Sequence, residues 1–298
     1  MLNEEEQEVP YQRVRLDAYL QAEHPEVSRA QLQRLIKDNK VRVNGTIQHK
    51  NGFMLKEHET VTVDFDLSKP PVPDVIDIPI LYEDEDCVVI TKPLGILSHS
   101  KGAFNPEGTV ATWLASRPHY NFPREAGNKR SGIVHRLDRA TSGVMICAKN
   151  QAALTHLQKQ FQDRKAKKTY CARIAGELDL VEALIDLPIE RNPKQPQRFR
   201  IGQNGKASQT NYKVLKTVEQ GQGTDSILEL KPLTGRTHQL RVHLEYMKHP
   251  IVGDTFYEGR LAERLFLHAS ELEITLPNRS RQTFTSPVPD IFFKNNVS

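Results

Sequence analysis

A proline-rich segment divides the chain into two unequal parts. Residues 67–79, LSKPPVPDVIDIP, contain four prolines. Proline fixes φ and has no amide proton, so neither a helix nor a central strand can run through such a segment. We therefore predict a linker at 67–79, between a small domain at 13–66 and a larger one at 80–292. Residues 1–12, which include three consecutive glutamates, and residues 293–298 are expected to be flexible tails.

The small part has the pattern of two short helices followed by strands. Ser28, with Gln31 three residues later, is typical of a capping box that starts the second helix. VRVNG predicts a strand that ends in an Asn-Gly hairpin turn, and VTVDF, from Val61, predicts another strand. Each helix carries an apolar stripe, formed by Leu16, Tyr19 and Leu20 in the first and by Leu32, Leu35 and Ile36 in the second.

Basic residues are concentrated in three stretches, although the net charge of the chain is only +4. Residues 28–50 and 159–173 each contain six basic residues and one acid, and residues 190–206 contain five and one. Such clusters in a nearly neutral protein are typical of a surface that follows a polyanion. The residues that we expect to contact nucleic acid are Arg29, Arg34, Lys37, Lys40, Lys165, Lys167 and Lys168.

Several classes of protein are disfavoured by composition. No apolar run approaches the roughly 18 to 20 residues needed to span a bilayer, and the amino terminus lacks the apolar stretch of a signal peptide. The three cysteines, Cys87, Cys147 and Cys171, are far apart, which favours buried thiols over a disulfide framework or a zinc site. We therefore expect a cytoplasmic protein without membrane contact.

The large part alternates irregularly between strand and helix patterns. CVVITK, GVMICAK, KTYCARIAG, SILELKP and LHASELEITL predict strands, and ILY pairs with the first of them in a predicted hairpin. NQAALTHLQKQFQDRK predicts an amphipathic helix, and ATWLASR and HQLRVHLEYMKH predict two more. Without a repeating strand-helix-strand rhythm, these elements predict an α+β domain. Its central sheet is expected to be mixed, largely antiparallel and flanked by helices.

Common catalytic motifs are missing or incomplete. The chain has no phosphate-binding loop of the GxxxxGK[ST] type, and the glycines at 221 and 223 lack the third glycine of a dinucleotide fingerprint. Ser98 and Lys101 form an SxxK without its companion motifs, so we interpret that match as chance.

One carboxylate stands alone in a basic stretch. From Ala126 to Gln162 the chain has six Lys or Arg residues and a single acid, Asp138, in HRLDRATSG. Nearby arginines would keep this carboxylate ionised, since an opposite charge within roughly 4–6 Å lowers a carboxyl pKa by about 1–3 units. A lone ionised Asp suits a nucleophile or base in a reaction without redox change. The alternative is that Asp138 pairs with Arg136 or Arg139 merely to fix a loop.

The segment GIVHRLDRATSGVMICAK, residues 132–149, resembles the signature of the RluA-type pseudouridine synthases. ILYEDEDCVVITKPLGILSH, KKTYCARIAGEL and LKPLTGRTHQLRVHLEYMKHPIVGDTFYEG resemble further family segments, in the family's order. The small part resembles the alpha-L RNA-binding domain of a ribosomal protein, which many members carry.

The resemblance implies roles for individual residues. Asp138 would be the catalytic carboxylate and Arg241 its partner in the pocket. Tyr170 would stack on the target base and take part in proton removal, and Arg136 would enter the helix stack that the target nucleotide leaves. The expected apolar walls of a water-excluding pocket are Leu137, Val144, Ile146 and Leu240.

The implied reaction converts a uridine within RNA to pseudouridine, its isomer, so it requires neither cofactor nor metal. The base must first be flipped out of its helix, at a cost of a few kcal/mol. The resemblance favours large-subunit ribosomal RNA as the partner of a monomeric enzyme, with transfer RNA as the alternative. Two other classes stay open: a non-catalytic RNA-binding or ribosome-assembly factor, and a glycosidase or nucleoside hydrolase.

Overall fold

The computed structural model describes residues 7–8, 13–25, 27–66, 72–100, 105–120, 132–221 and 223–295. It divides into two compact units. The first contains the described residues as far as Val75 together with 99–100 and 105–108, and the second contains the rest. Most of the predicted amino-terminal tail and residues 67–71 of the predicted linker lie outside the described residues, as do residues 296–298.

The first unit packs two helices against short strands. Its elements are β1 (Gln7–Glu8), β2 (Val14–Arg15), α1 (Leu16–Glu23), α2 (Arg29–Lys37), β3 (Val41–Val43), β4 (Thr46–Ile47), β5 (Met54–Leu55) and β6 (Thr60–Val63). The strand order is β1-β6-β3-β4, and β2 pairs separately with β5. The pairing of β1 with β6 holds Gln7 and Glu8 in a sheet, which differs from the free tail expected there.

Local sequence signals account for this unit. Ser28 caps α2 by accepting a hydrogen bond from the amide of Gln31, as predicted. Asn44 and Gly45 adopt the positive φ angles, 50° and 76°, that a tight hairpin turn needs. The predicted apolar stripes of α1 and α2 form one buried cluster with Val41, Leu55 and Val61.

The second unit is built on one large sheet. Its strands are β7 (Ile80–Glu83), β8 (Cys87–Lys92), β9 (Ser142–Ala148), β10 (Lys167–Ala175), β11 (Glu182–Asp186), β12 (Ile189–Arg191), β13 (Phe199–Ile201), β14 (Gln209–Gln220), β15 (Gly223–Pro232), β16 (Leu267–Thr275) and β17 (Arg281–Thr285). Its α-helices are α3 (Val110–Ala115), α4 (Gln151–Gln162) and α5 (Gln239–Tyr246).

The sheet is mixed, with the order β11-β14-β15-β10-β16-β9-β8-β7, and β17 also pairs with β16. Only the pairing of β16 with β9 is parallel among the described strands of this sheet. This architecture confirms the predicted α+β class. Two strands outside it, β12 and β13, pair with each other.

The centre of the sheet is buried on both faces. Successive side chains of a strand point to opposite faces. On β9, Met145 and Cys147 pack with Trp113 of α3, whereas Val144 and Ile146 pack with Leu157 of α4. The three cysteines are free and buried, as predicted. Among the described residues, no helix is both long and apolar enough to cross a bilayer.

The structure extends the sequence analysis in two places. Ile76 and Ile78 of the predicted linker belong to the second unit, and Ile78 is buried in its core. The strands β11 to β14 lie in a segment to which the sequence patterns assigned no element.

The glycine that follows the HRLDRATS segment permits a close approach between strands. Gly143 has φ +120°, and its backbone lies against that of Ala269 in the parallel pair β9–β16. A Cβ atom at this position would collide with the carbonyl oxygen of Ala269. This contact lies at the start of β9, so it fixes the end of the loop that carries Asp138.

We expect Gly143→Ala to lower the free energy of unfolding by at least about 3 kcal/mol, because positive-φ strain adds to overpacking. Chemical denaturation followed by circular dichroism would measure this. Gly223→Ala is the matched control, since a Cβ there meets nothing closer than 3.9 Å. Equal free energies of unfolding for the two variants would contradict the close contact between Gly143 and Ala269.

Candidate active site

The loop that carries Asp138 is held by hydrogen bonds from an earlier segment of the chain. Ser98 Oγ donates to the carbonyl of Leu137 at 2.8 Å and accepts from the amide of Leu137 at 3.1 Å. Ser98 is buried, so this double contact fixes the backbone directly before Asp138. The match to an SxxK motif is thus unrelated to the function of Ser98 in the structure.

Lys92 supports the same loop from the other side. Its ammonium is fully buried and donates to the carbonyl oxygens of Pro93 and Ile96, both at 2.8 Å, and of Arg139 at 3.4 Å. Burial lowers the pKa of Lys92 to about 7, although the charge of Asp138 opposes the shift. The lysine therefore ties the turn after β8 to the residue that follows the carboxylate.

His135 anchors the start of the loop. Its Nε2 accepts a hydrogen bond from the amide of Ile146 at 3.2 Å, and its ring stacks on Phe161 of α4 at 4.4 Å. Burial lowers the pKa of His135 to about 3, so the ring stays neutral and keeps this acceptor role.

Asp138 shares one arginine with a second carboxylate. Arg241 Nη1 donates to Asp138 Oδ2 at 3.2 Å, while its Nε and Nη2 donate to the two oxygens of Asp254, each at 2.7 Å. Burial alone would lower the pKa of Arg241, but the hydrogen bonds and charge of Asp254 raise it above its ordinary value. The guanidinium is therefore a fixed cation beside Asp138.

The amino-terminal end of α5 places Arg241. Gln239 donates to the carbonyl of Gln209 and to Thr210, and it accepts from the amide of Arg236 and the hydroxyl of Thr234. These contacts lock the turn before the helix onto β14. Arg241 follows two residues later and points at Asp138 and Asp254.

Tyr170 lies at a register shift of β10, between Thr169 and Tyr170, where β10 pairs with β16. Such bulges re-aim side chains and are common beside active sites. Burial, together with the charge of Asp138, raises the pKa of Tyr170, so its phenol stays protonated. A protonated phenol suits stacking on a base and disfavours a role as a free proton acceptor.

Asp138, Tyr170 and Arg241 line one cavity of about 620 Å³. Among the described residues that line it, five are cationic and Asp138 is the one acid; the cations are Arg136, Arg164, Lys168, Arg236 and Arg241. Leu137 and Leu240 supply apolar wall. The side chain of Asp138 lines this cavity and is 21% exposed, so it is accessible to a substrate but partly shielded from solvent.

Two of the expected walls lie elsewhere. Val144 and Ile146 pack into the cluster with Leu157 and do not line the cavity. Val144 and Ile146 are two residues apart in β9, so their side chains share one face of the sheet. That face is covered by α4.

The predicted nucleic-acid contacts fall into different environments. Lys168 and Arg136 line the cavity, whereas Lys165 and Lys167 are exposed outside its lining and lie 3.8 Å and 3.2 Å from Asp163 and Glu273. On the first unit, four residues are exposed along and just after α2: Arg29, Arg34, Lys37 and Lys40.

One residue of the second basic cluster is not at the surface. Arg173 is fully buried, and its Nε lies 2.6 Å from Asp225 Oδ2, so it cannot contact RNA.

Several residues of the site carried no motif signal that the sequence analysis used. Asp254, His238 and Tyr257 lie within the long segment that resembles the family, yet none was assigned a role. The signal that would have found Asp254 is its charge: a buried arginine requires a carboxylate partner.

The arrangement combines a carboxylate, a fixed guanidinium, a buried phenol and several cationic side chains around one cavity. It fits a reaction at an anionic polymer in which one carboxylate acts at a flipped nucleotide. Among the described lining residues there is no second acid, so the paired carboxylates that glycoside hydrolysis normally uses are missing from this lining.

Comparisons with known proteins identify the class. The model of the RNA pseudouridylate synthase family matches residues 86–246, and that of the S4 domain matches residues 14–61. The chain therefore belongs to the RNA pseudouridylate synthase family and carries an amino-terminal S4 domain. It is an isomerase that acts on RNA, which confirms the resemblance found in the sequence.

Individual relatives cover most of the chain. An uncharacterized RNA pseudouridine synthase of Aquifex aeolicus is 39% identical over 245 residues, which are 82% of this chain and 76% of that protein. A ribosomal large subunit pseudouridine synthase D of Borreliella burgdorferi is 36% identical over 292 residues, 94% of this chain and 87% of that protein. The solved structure of human RNA pseudouridylate synthase domain containing 1 has a TM-score of 0.59 and 29% identity, covering 71% of this chain and 83% of that chain.

Lys168 offers a pH-dependent test of the cavity's cationic rim. Its Nζ donates to the carbonyl of Thr234 at 3.1 Å, and burial lowers its pKa to about 8. The charge is present below that pH and lost above it. We therefore expect RNA affinity to fall as the pH rises from about 7 to 9, and to fall less in Lys168→Arg, because arginine stays charged.

Filter binding at constant ionic strength would measure the RNA affinity of the wild-type protein and of Lys168→Arg across this pH range. Lys165→Arg is the matched control, because Lys165 is exposed and does not line the cavity. A pH dependence that Lys168→Arg leaves unchanged would show that Lys168 does not contact RNA.

Proposed function

We propose that this protein converts specific uridines of large-subunit ribosomal RNA to pseudouridine, with Asp138 as the catalytic carboxylate. The observation that carries the proposal is the placement of Asp138 against Arg241, at 3.2 Å, within a cationic cavity. The choice of RNA is supported by relatives that are named ribosomal large subunit pseudouridine synthase D, such as those of Borreliella burgdorferi and Escherichia coli.

The proposed reaction is balanced without an added reagent. The bond between N1 of uracil and C1′ of ribose breaks, the base turns, and C5 bonds to C1′. C5 then loses its proton and N1 gains one, so the product is an isomer of the substrate. Asp138 attacks the sugar, attacks the base or removes a ribose proton; each of these needs an ionised carboxylate next to the nucleotide.

The other residues of the cavity are assigned by their chemistry. Tyr170 stacks on the flipped base, and Leu240 supplies an apolar wall that helps to exclude water from the detached uracil. Arg136, which is exposed and lines the cavity, occupies the gap that the base leaves in the RNA helix. Lys168 contacts phosphate, which offsets part of the cost of base flipping.

We also propose the organisation that the sequence suggested. The S4 domain at 13–66 and the catalytic domain at 80–292 bind the same RNA, joined by the segment at 67–79. The protein acts as a cytoplasmic monomer, without cofactor and without membrane contact. Transfer RNA is the alternative substrate.

We expect Asp138→Asn to abolish tritium release from RNA labelled at C5 of uridine while RNA affinity is retained, because only the ionised carboxylate is lost. Asp179→Asn, at an exposed acid outside the cavity lining, is the matched control. An active Asp138→Asn enzyme would defeat the proposal. Release of free uracil by the wild-type protein would indicate hydrolysis instead.

The same assay distinguishes the substrates. Precursor 23S ribosomal RNA and bulk transfer RNA, transcribed with labelled uridine, would be compared. Carbodiimide-dependent stops of reverse transcription then locate the product. Tritium release from transfer RNA alone would overturn the choice of ribosomal RNA.

The S4 domain provides a separate electrostatic test. Arg34 and Lys37 are exposed on α2. We expect Arg34→Ala and Lys37→Ala each to reduce the slope of log affinity against log salt by about 0.7–0.9, as the loss of one phosphate contact would. Lys56→Ala, at an exposed lysine of the same unit away from α2, is expected to leave the slope unchanged. Equal slopes for all three variants would contradict an RNA contact through α2.

A further inference from the structure

His238 is an ionisable residue at the active site to which the reaction described above assigns no role. It lies directly before α5 with a left-handed backbone, φ 57° and ψ 19°. Its ring is surrounded by the edges or faces of Phe199, Phe256 and Tyr257, at centroid distances of 5.7, 5.9 and 5.5 Å. These contacts hold the ring in one orientation.

The hydrogen bonds of Tyr257 define which ring nitrogen of His238 carries the proton. Tyr257 Oη accepts from the amide of Phe199 at 2.9 Å and lies 2.8 Å from His238 Nδ1. Tyr257 is buried, and Nδ1 is the one acceptor that the described residues offer to its hydroxyl proton. A buried hydroxyl that donates to nothing is costly, so Tyr257 donates to Nδ1. The proton of the ring is therefore on Nε2.

The other nitrogen faces the catalytic carboxylate. His238 Nε2 lies 3.8 Å from Asp138 Oδ2, the same oxygen that accepts from Arg241. At this distance the attraction is electrostatic, and a movement of about 0.7 Å would form an ordinary hydrogen bond. Asp138 Oδ1 has no hydrogen-bond partner among the described residues.

The surroundings of the ring favour the neutral imidazole. Burial lowers the pKa of His238; Asp138 and Asp254 oppose this shift, and Arg241 and Arg136 add to it. A neutral ring with its proton on Nε2 is a donor toward Asp138 and does not compete for the nucleotide as a base.

We propose that His238, held as the Nε2–H tautomer by Tyr257, is a positioning residue for Asp138. His238 and Arg241 together hold Oδ2, which leaves Oδ1 as the oxygen directed at the target nucleotide. The inference rests on the proposed function and adds to it which oxygen reacts and why the carboxylate does not rotate.

Two substitutions of His238 separate this role from simple support of the turn. In His238→Gln the side-chain amide N–H₂ lies near the former position of Nε2, so a donor toward Asp138 is kept. In His238→Asn the shorter amide can still accept from Tyr257 but does not extend to Asp138. Asn also adopts the left-handed backbone more readily than Gln. If His238 only supports the turn, the Asn variant should be the more active one. If His238 positions Asp138, the Gln variant should be the more active one.

The rate of tritium release would be measured with enzyme in excess over labelled RNA, alongside the dissociation constant and the melting temperature. We expect His238→Asn to lower the single-turnover rate roughly 10- to 100-fold with little change in affinity, and His238→Gln to restore most of it. If the Asn variant is as active as the Gln variant, or more active, the proposal is overturned.

Tyr257→Phe tests the tautomer. Without the hydroxyl, the hydrogen bond that keeps the proton off Nδ1 is lost, so we expect a lower rate at unchanged RNA affinity. Tyr212→Phe is the matched control, since Tyr212 is also buried and its hydroxyl donates to the carbonyl of Leu180, outside the cavity. A Tyr257→Phe rate equal to that of Tyr212→Phe would overturn the assigned tautomer.

The wild-type protein and Asp138→Asn are included in the same series. If the wild-type protein releases no tritium from any RNA, the proposed function itself fails. If the wild-type protein is active and Asp138→Asn is inactive, the ranking of the His238 variants decides the inference on its own.

Discussion

The active site depends on one guanidinium shared between two carboxylates. Two nitrogens of Arg241 donate hydrogen bonds to buried Asp254, and the third donates to Asp138. A buried arginine without a partner would be strongly destabilising, so Asp254 makes the burial of Arg241 possible. Because Asp254 takes the bidentate contact, Asp138 is held by a single hydrogen bond and keeps an oxygen for chemistry. The cation thus fixes the proposed catalytic carboxylate through one oxygen only.

The loop around Asp138 is organised before substrate arrives. Ser98 fixes both backbone groups of Leu137, and Lys92 binds the carbonyl of Arg139, so the residues on either side of Asp138 are held by buried side chains. Groups that are already oriented need no reorganisation during the reaction, which is a major source of catalytic power in enzymes. Neither Ser98 nor Lys92 needs to touch RNA for this effect.

The sequence predicts local elements better than it predicts partners. Apolar periodicity located β8, β9, β10 and α4, and the HRLDRATSG segment placed Asp138 in the site. The sequence patterns assigned no role to Asp254, which lies 116 positions after Asp138 and is linked to it through Arg241. The sequence also could not show that Arg173 is buried. Both faces of its strand are covered, so the pattern along the strand does not indicate which side chains are exposed. Its carboxylate partner, Asp225, is 52 residues away in the sequence. No element was assigned to the segment of β11 to β14, although the first half of β14 alternates, with Thr210 and Tyr212 buried and Asn211 and Lys213 exposed. The register shift between Val214 and Lys216 then ends this alternation.

The charge of the cavity bears on the kind of molecule that it accepts. A free uridine carries no phosphate, and the reaction at its base needs only the carboxylate and its arginine. Yet Arg136, Arg164, Lys168 and Arg236 also line the cavity, and Asp138 is the single acid among the described lining residues. Four additional cations around one carboxylate give the cavity a positive charge, which attracts a substrate that brings negative charge with it. This favours a nucleotide that is still joined to its neighbours, whose phosphates complete the charge balance that the protein alone leaves open.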